Sequence, residues 1–249
     1  ADEIVQQILA ALPKDAQPEH QVDPQAYGAY LKGRHLWAQR TTQSLTDAVA
    51  LFQKAIERDQ TYAPSYAGLA DSYSLLGTVP YAALLPSDAF PKAEANARKA
   101  LELDEGLAEA HVSLGYAELV YDRNYAEAEK EFRRAIQLRP GYATAHQYYA
   151  YYLTARGRLD EAIVERKHAV TLEPASPLLN TALGEAYYFA RQFDESIAQN
   201  QEALHLDRNY AVAVINLGRA FEQKGMYPQA LPAFQSILSF DPNDPAPLA

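Results

Sequence analysis

Two-residue steps ending in a small residue recur along this chain at Leu114-Gly115, Tyr149-Ala150, Leu183-Gly184 and Leu217-Gly218, and Ala135, Ala169, Ala203 and Ile237 form a second series at 34-residue spacing. A unit of that length accommodates two helices and a turn, and neither helix can bury its apolar face alone. Self-similarity at such a period marks an array in which each unit completes its core on its neighbours. A single central core is thereby excluded, and the length of 249 residues becomes a poor guide to domain number. The expectation is an all-α solenoid of about six helix-turn-helix repeats, with the start of a seventh at Pro245.

The formal charge of -10 and the sequence pI near 5.1 argue against a nucleic-acid surface, because neutralising phosphates requires clustered Lys and Arg. No run approaches the ~20 apolar residues that span a bilayer, so membrane insertion is not expected. Zero cysteines exclude disulfide and thiolate chemistry without choosing a compartment. Ile4, Val5, Ile8, Leu9 and Leu12 fall on one helical face and Pro13 stops the pattern. Residues 1–23 therefore read as an amphipathic helix and linker, too short and too poorly flanked by base for a signal peptide, ahead of a repeat domain over 24–249. A cytoplasmic location is expected, and a periplasmic one if a membrane segment lies upstream.

Within a repeat the punctuation is regular. In the fourth pair Tyr142 to Arg156 reads as the first helix, Gly157 as its left-handed cap, Asp160 as the opening of the second helix, and Pro174 follows its end. Gly115, Ala150, Gly184 and Gly218 are expected where the two helices cross, facing Ala128, Ala162, Ser196 and Ala230. Phe132, Tyr187, Phe221 and Phe234 are expected to fill the space between pairs. Two repeats are longer than 34 residues, and both lengthen the turn within the pair. One does so through Arg40 to Thr46. The other runs through Thr78 to Pro91, where Tyr81, Leu84, Leu85 and Phe90 beside three prolines predict a packed insert, with helix resuming after Ser87 as N-cap or nearer Phe90.

Little in the chain points to catalysis. Lys32-Gly33-Arg34 and Lys224-Gly225-Met226 lack the glycine spacing and the hydroxyl of a phosphate loop. His111 and His146 hold equivalent places in successive repeats, which favours packing over metal ligation, and no His pair has the spacing of a zinc site. Carboxylates such as Glu127, Glu129 and Glu131 alternate with bases, and Glu161, Glu165 and Arg166 read as ordinary surface charges of a helix. No enzyme activity, metal or cofactor is expected.

The functional content lies on the inner face, lined by the first helix of each pair. In phase with the motif this face carries Lys32, Asp71, Tyr116, Tyr151, Glu185 and Arg219, flanked by Gln147, Tyr148, Tyr188 and Asn216. Tyrosine offers large amphipathic area with a hydroxyl at its tip, the combination a binding surface needs. Tyr148, Tyr149, Tyr151 and Tyr152 cannot share one face at 100° per residue, so some of them face the groove or solvent.

These registered motifs from Pro24 to Pro247 resemble the tetratricopeptide repeat family. The resemblance implies a right-handed superhelix whose concave groove binds an extended peptide or a helix of another protein. Against the family pattern, Arg166 and Asn200 stand where the second helix carries Phe, and Arg208 where a closing Pro is usual. The family's clamp for chaperone tails is not matched, since the corresponding places hold Gly28, Lys32, Gly68, Thr144 and Tyr148. Ala26-Tyr27, Tyr30 to Arg34, Trp37, Ala67 to Tyr73, His146 to Ala150 and Gly218 to Phe221 look similar to the repeat regions of bacterial regulators. In these, such repeats follow winged-helix activators of the ToxR-like class, TolB-like modules associated with adenylate cyclases, or serine/threonine kinases, and Ala1 to Leu12 is similar to the closing helix of the TolB-like module. The resemblance implies a non-catalytic module of a larger bacterial regulatory protein that binds a protein or peptide partner. The alternative is a structural module that forms homo-oligomers through the ends of the solenoid, near Ile237, Leu238 and Phe240.

Overall fold

The computed structural model describes residues 22–79, 81 and 83–237. The amphipathic segment anticipated at residues 4–12, Leu238, Phe240 and the opening of a seventh repeat lie outside the described residues. Twelve α-helices and no strand are present among the described residues: α1 Pro24–Ala38, α2 Thr42–Arg58, α3 Ala63–Leu76, α4 Pro86–Leu103, α5 Ala108–Ala117, α6 Tyr125–Leu138, α7 Ala143–Ala155, α8 Leu159–Leu172, α9 Pro177–Phe189, α10 Phe193–Leu206, α11 Ala211–Gln223 and α12 Tyr227–Ile237. None of these helices is long and apolar enough to cross a membrane. Helix contacts divide the chain into two compact units, Ala1–Asn124 and Tyr125–Ala249, so the boundary falls between α5 and α6.

In the first unit α1 packs on α2 and α3 on α4, and the first helices touch along the stack, α1 on α3 and α3 on α5. The second unit repeats the scheme with α7 on α8, α9 on α10 and α11 on α12, while α7 meets α9 and α9 meets α11. The small residues permit the close approach. A Cβ placed on Gly33 or Gly68 would lie 2.7 or 2.6 Å from the ring of Phe52, and one on Gly218 would lie 2.7 Å from that of Phe234. The side chains that meet Gly184 and Gly218 are therefore Asn200 and Phe234, one turn beyond the expected Ser196 and Ala230.

Turns inside pairs share a backbone device. Arg123, Gly157, Arg191 and Gly225 have φ of 57°, 74°, 61° and 71°, a left-handed residue at each 34-residue step, and in the second unit the last three let the chain reverse after the first helix of each pair. Only two of the four are glycine, so the arginines carry a strain of about 1 kcal/mol each. Turns between pairs have a different tie. The side chain four residues before the small residue of the first helix (Ala70, Gly115, Ala150 and Gly184 in turn) bonds the carbonyl six residues behind it: Tyr66 to Gln60 at 3.2 Å, His111 to Glu105 at 3.0 Å, His146 to Pro140 at 2.9 Å and Asn180 to Pro174 at 3.0 Å. The packing role expected for His111 and His146 is thereby given its form: each closes a turn.

Three departures from the sequence reading concern these turns. Helix α2 begins at Thr42 behind a capping box made by Thr41 and Ser44, so the segment anticipated as extended from Arg40 to Thr46 is mostly helix. Helix α4 begins at Pro86 with Leu85 as N-cap, earlier than Ser87 or Phe90, because proline is well suited to a first helical position. A third lengthening also exists. The step from Gly115 to Ala150 holds one residue more than the next steps, and five residues, Glu118–Asp122, wind as a π-helical turn that absorbs it, with Arg123 as its left-handed C-cap. The insert after α3 packs through Tyr81 and Leu84, against the cluster of Trp37, Leu45, Phe52 and Leu76, and through the buried Phe90, whereas Leu85, expected to pack with them, is 67% exposed at the N-cap of α4.

Candidate functional site

In the first unit the inner-face residues separate. Lys32 is exposed and borders an open apolar pocket with Leu31, His35, Leu36 and Leu51. Asp71 on α3 accepts from Arg34 of α1 at 2.9 Å and from the hydroxyl of Ser113 on α5, so it links three successive first helices. Burial pushes its carboxyl up against the pull of Arg34 and Ser113. Arg34 and Arg40 in turn lie over the ring of Trp37 at 4.4 and 3.8 Å. Tyr116 packs its ring near Phe90, 6.3 Å between centroids. Asp71, Arg34 and Ser113 are thus engaged with one another, while Lys32 stays outside this set. Glu94, Glu118 and Asp122 bring carboxylates within 4.8 Å of one another, but Arg98 pairs with Glu94 at 2.7 Å and Glu118 at 3.2 Å, and burial pushes Glu118 and Asp122 up.

The second unit sorts its tyrosine run by phase. Tyr149 and Tyr152 are buried and both donate at 3.1 Å to Glu129 on α6. Glu129 also receives Arg158 at 2.8 Å and Arg133 at 2.9 Å. Burial alone would raise this carboxyl, but the donors Arg158, Arg133, Tyr152 and Tyr149 bring it down to about 2. Tyr148 is half-buried and Tyr151 is 46% exposed. The run therefore supplies two structural phenols and two outward ones.

Around Tyr151 the first helices α7, α9 and α11 present Gln147, Glu185, Tyr188 and Arg219, all half-exposed. Arg219 lies over the ring of Tyr188 at 4.7 Å, and Tyr188 meets Phe193 edge-on at 5.7 Å. Asn216, one turn before Arg219, is 5% exposed and its amide nitrogen has no acceptor, so it stands beneath this face.

Sequence reasoning missed one member of this region. Arg166, taken for a surface charge of α8, is 4% exposed. Its Nη1 donates to the carbonyl of Ala182 at 2.5 Å and its Nη2 lies 3.6 Å from Glu185, both on α9, while its Nε has no acceptor. Burial pushes the guanidinium down and Glu185 opposes this. The signal that marks it is phase: Arg166 occupies the place that Phe52, Phe132 and Asn200 hold in their own repeats, and the side chain there is buried in all four.

With this geometry in place, the comparisons with known proteins agree on the repeat. The family model described as tetratricopeptide repeat matches residues 118–169 and 181–245. A chloroplastic tetratricopeptide repeat domain-containing protein of Arabidopsis thaliana, PYG7, is 44% identical over 63 residues, an alignment spanning 25% of this chain and only 21% of that protein. Among solved structures, the thermophilic repeat protein TTC0263 of Thermus thermophilus is similar with a TM-score of 0.65 at 19% identity, over 79% of this chain and 98% of that one. Human IFIT1, solved as a dimer with m7Gppp-AAAA, gives 0.72 at 20% identity over 97% and 56%. YrrB, described as having an unusual peptide-binding site, gives 0.51 at 23% identity over 77% and 93%.

Proposed function

We propose that this chain, whose residues 118–169 and 181–245 match the tetratricopeptide repeat model, is a non-catalytic protein-interaction module whose partner lies along the inner face of α7, α9 and α11. The observation that supports this reading is the grouping of Tyr151, Glu185, Tyr188 and Arg219 on adjacent first helices, with large rings partly exposed and their backbone positions fixed by a packed stack beneath. Rigid aromatic area with polar tips loses little entropy on binding and supplies both burial and hydrogen bonds. In the proposed reading the module belongs to a larger cytoplasmic regulatory protein of a bacterium, an assignment that rests on the residue patterns resembling such regulators. The m7Gppp-AAAA found with human IFIT1 is not carried over, because a formal charge of -10 opposes phosphate binding.

Fluorescence anisotropy with peptides enriched by this chain from a displayed random library tests the face. Tyr151→Ala and Tyr188→Ala are each expected to weaken binding about tenfold or more, the loss of an aromatic anchor. Unchanged affinity in both variants removes the site from this face. A second reading, self-association, draws on Tyr227 and Leu231 of α12, which are 66% and 58% exposed one turn apart. Light scattering over a concentration series separates the two: mass that rises with concentration and falls back in Leu231→Glu favours association.

A further inference from the structure

The charges on the inner face of the second unit are out of keeping with the rest of the molecule. Acidic residues outnumber basic ones 32 to 22 over the chain, yet among the groups described on this face the two guanidinium groups of Arg166 and Arg219 stand against the single carboxylate of Glu185. Arg219 is stacked on Tyr188 at 4.7 Å and has no carboxylate partner among the described residues. Arg166 reaches α9 from the outer helix α8, meets Glu185 only at a loose 3.6 Å, and leaves its Nε without an acceptor. The buried amide nitrogen of Asn216 also lacks one. Glu185, whose side chain is 37% exposed, is the one acid among these groups.

The two arginines converge on one helix. Arg166 meets Glu185 and Arg219 meets Tyr188, and residues three apart on α9 are neighbours on its surface, about 5 to 6 Å between Cβ atoms. A guanidinium held flat against a ring presents its free N–H edge in a fixed plane, which matches a carboxylate better than a flexible ammonium does. An acceptor supplied from outside at this point would pair with the half-exposed guanidinium of Arg219, whereas a neutral or basic segment laid over it would strip that group of water without supplying a partner.

We infer that the ligand of this face is an acidic peptide segment, one of whose Asp or Glu side chains binds the guanidinium of Arg219 over Tyr188 and competes with Glu185 for Arg166. This rests on the peptide-binding reading above and names its ligand class. Glu185 acts in it as an internal stand-in: it holds Arg166 in the absence of ligand and yields when a ligand carboxylate arrives.

The test uses the whole chain and a displayed library of random 12-residue peptides. Enriched peptides are expected to share an Asp or Glu. In anisotropy measurements on one of them, changing that acid to its amide weakens binding about tenfold. Arg219→Gln weakens the acidic peptide to the same degree but leaves the amide version unaffected, and Arg219→Lys restores part of the loss. Glu185→Gln, which removes the competing carboxylate, tightens the acidic peptide several-fold; a merely structural Glu185 would leave affinity unchanged or lower it. Enriched peptides without acids, or acid and amide versions of equal affinity, overturn the inference. In that case Tyr151→Ala and Tyr188→Ala decide the broader reading: if they still weaken binding the face stands without its charge preference, and if they do not, or if nothing is enriched, both fall.

Discussion

Hairpin α1–α2 and hairpins α7–α8 and α9–α10 put a second-helix side chain at the same point of phase, and they fill it in opposite ways. In the first, Phe52 is fully buried, and Gly33 and Gly68 make room for its ring. In the other two the place belongs to Arg166 and Asn200, 4% and 0% exposed. The backbone barely registers the exchange: Gly184 closes on Asn200 much as Gly218 closes on Phe234. What differs is polar satisfaction. The ring needs no partner, while Arg166 Nε and Asn200 Oδ1 are left without one. The helix crossing is thus set by the small residue, and the filler beside it is free to trade stability for a group that reaches the inner face.

That comparison breaks most easily at its apolar end. Phe52→Ala is expected to cost about 3 to 5 kcal/mol, because a rigid stack with two glycines at the site cannot collapse into the space. Urea unfolding measures it, and a loss below about 1 kcal/mol would show that the ring is not what holds the hairpin.

Glu129 sharpens the contrast, being a polar group in the same fold with every partner supplied. Its folded value of about 2 lies below the ~4.5 of a free carboxyl, so its contribution is present above that pH and is lost as pH falls toward 2. Partial solvent access discounts it to about 1 to 2 kcal/mol at neutral pH. Glu129→Gln should therefore destabilise by that amount at pH 7 and by progressively less below pH 4. A difference that does not vary with pH would mean that geometry, not charge, is at stake. Asn200→Phe runs the exchange backwards, removing a buried acceptor without a donor, and should raise stability by about 1 kcal/mol. A loss would show that the polar filler is required where it stands.

How much of this was legible in the sequence follows from what a period encodes. Helix number, pairing and the small residues were readable because each repeat must present the same face to the next, so the constraint is written at every 34th place. Turn lengths were not, since a loop is free to differ in each copy: the start of α4 at Pro86 and the π turn at Glu118–Asp122 satisfy the same stacking as a shorter connection would. The division of the tyrosine run was foreseen as a necessity of helical geometry, but which ring is buried depends on Glu129, a carboxylate some twenty residues away in sequence. Arg166 was misread for the converse reason. Its residue type speaks for the surface, its phase for the interior, and in a packed array phase decides.

The smallest expected effect compares α7–α8 with α9–α10 once more. His146 and Asn180 hold equivalent places, each tied to the turn behind it and to a side chain of the next helix, Glu165 at 2.6 Å in one case and Gln199 in the other. The amide pair is neutral at every pH. The histidine pair is not: Nδ1 faces a carboxylate and Nε2 the carbonyl of Pro140, two acceptors that only the doubly protonated ring can serve together. Glu165 raises the His146 value, burial opposes it, and the Pro140 carbonyl adds to the rise; His168, stacked on the ring at 5.6 Å, is the other titratable group beside it. With the folded value raised, the stabilisation is complete below the unfolded ~6.5 and fades as pH rises through the folded value. Replacing the pair by its neighbour's, His146→Asn with Glu165→Gln, should flatten the fall in melting temperature between pH 6 and 8 by a few degrees, about 1 kcal/mol at most. An identical slope in both proteins would mean that the ring sheds its proton without loosening the turn, and that the two repeats differ here in composition alone.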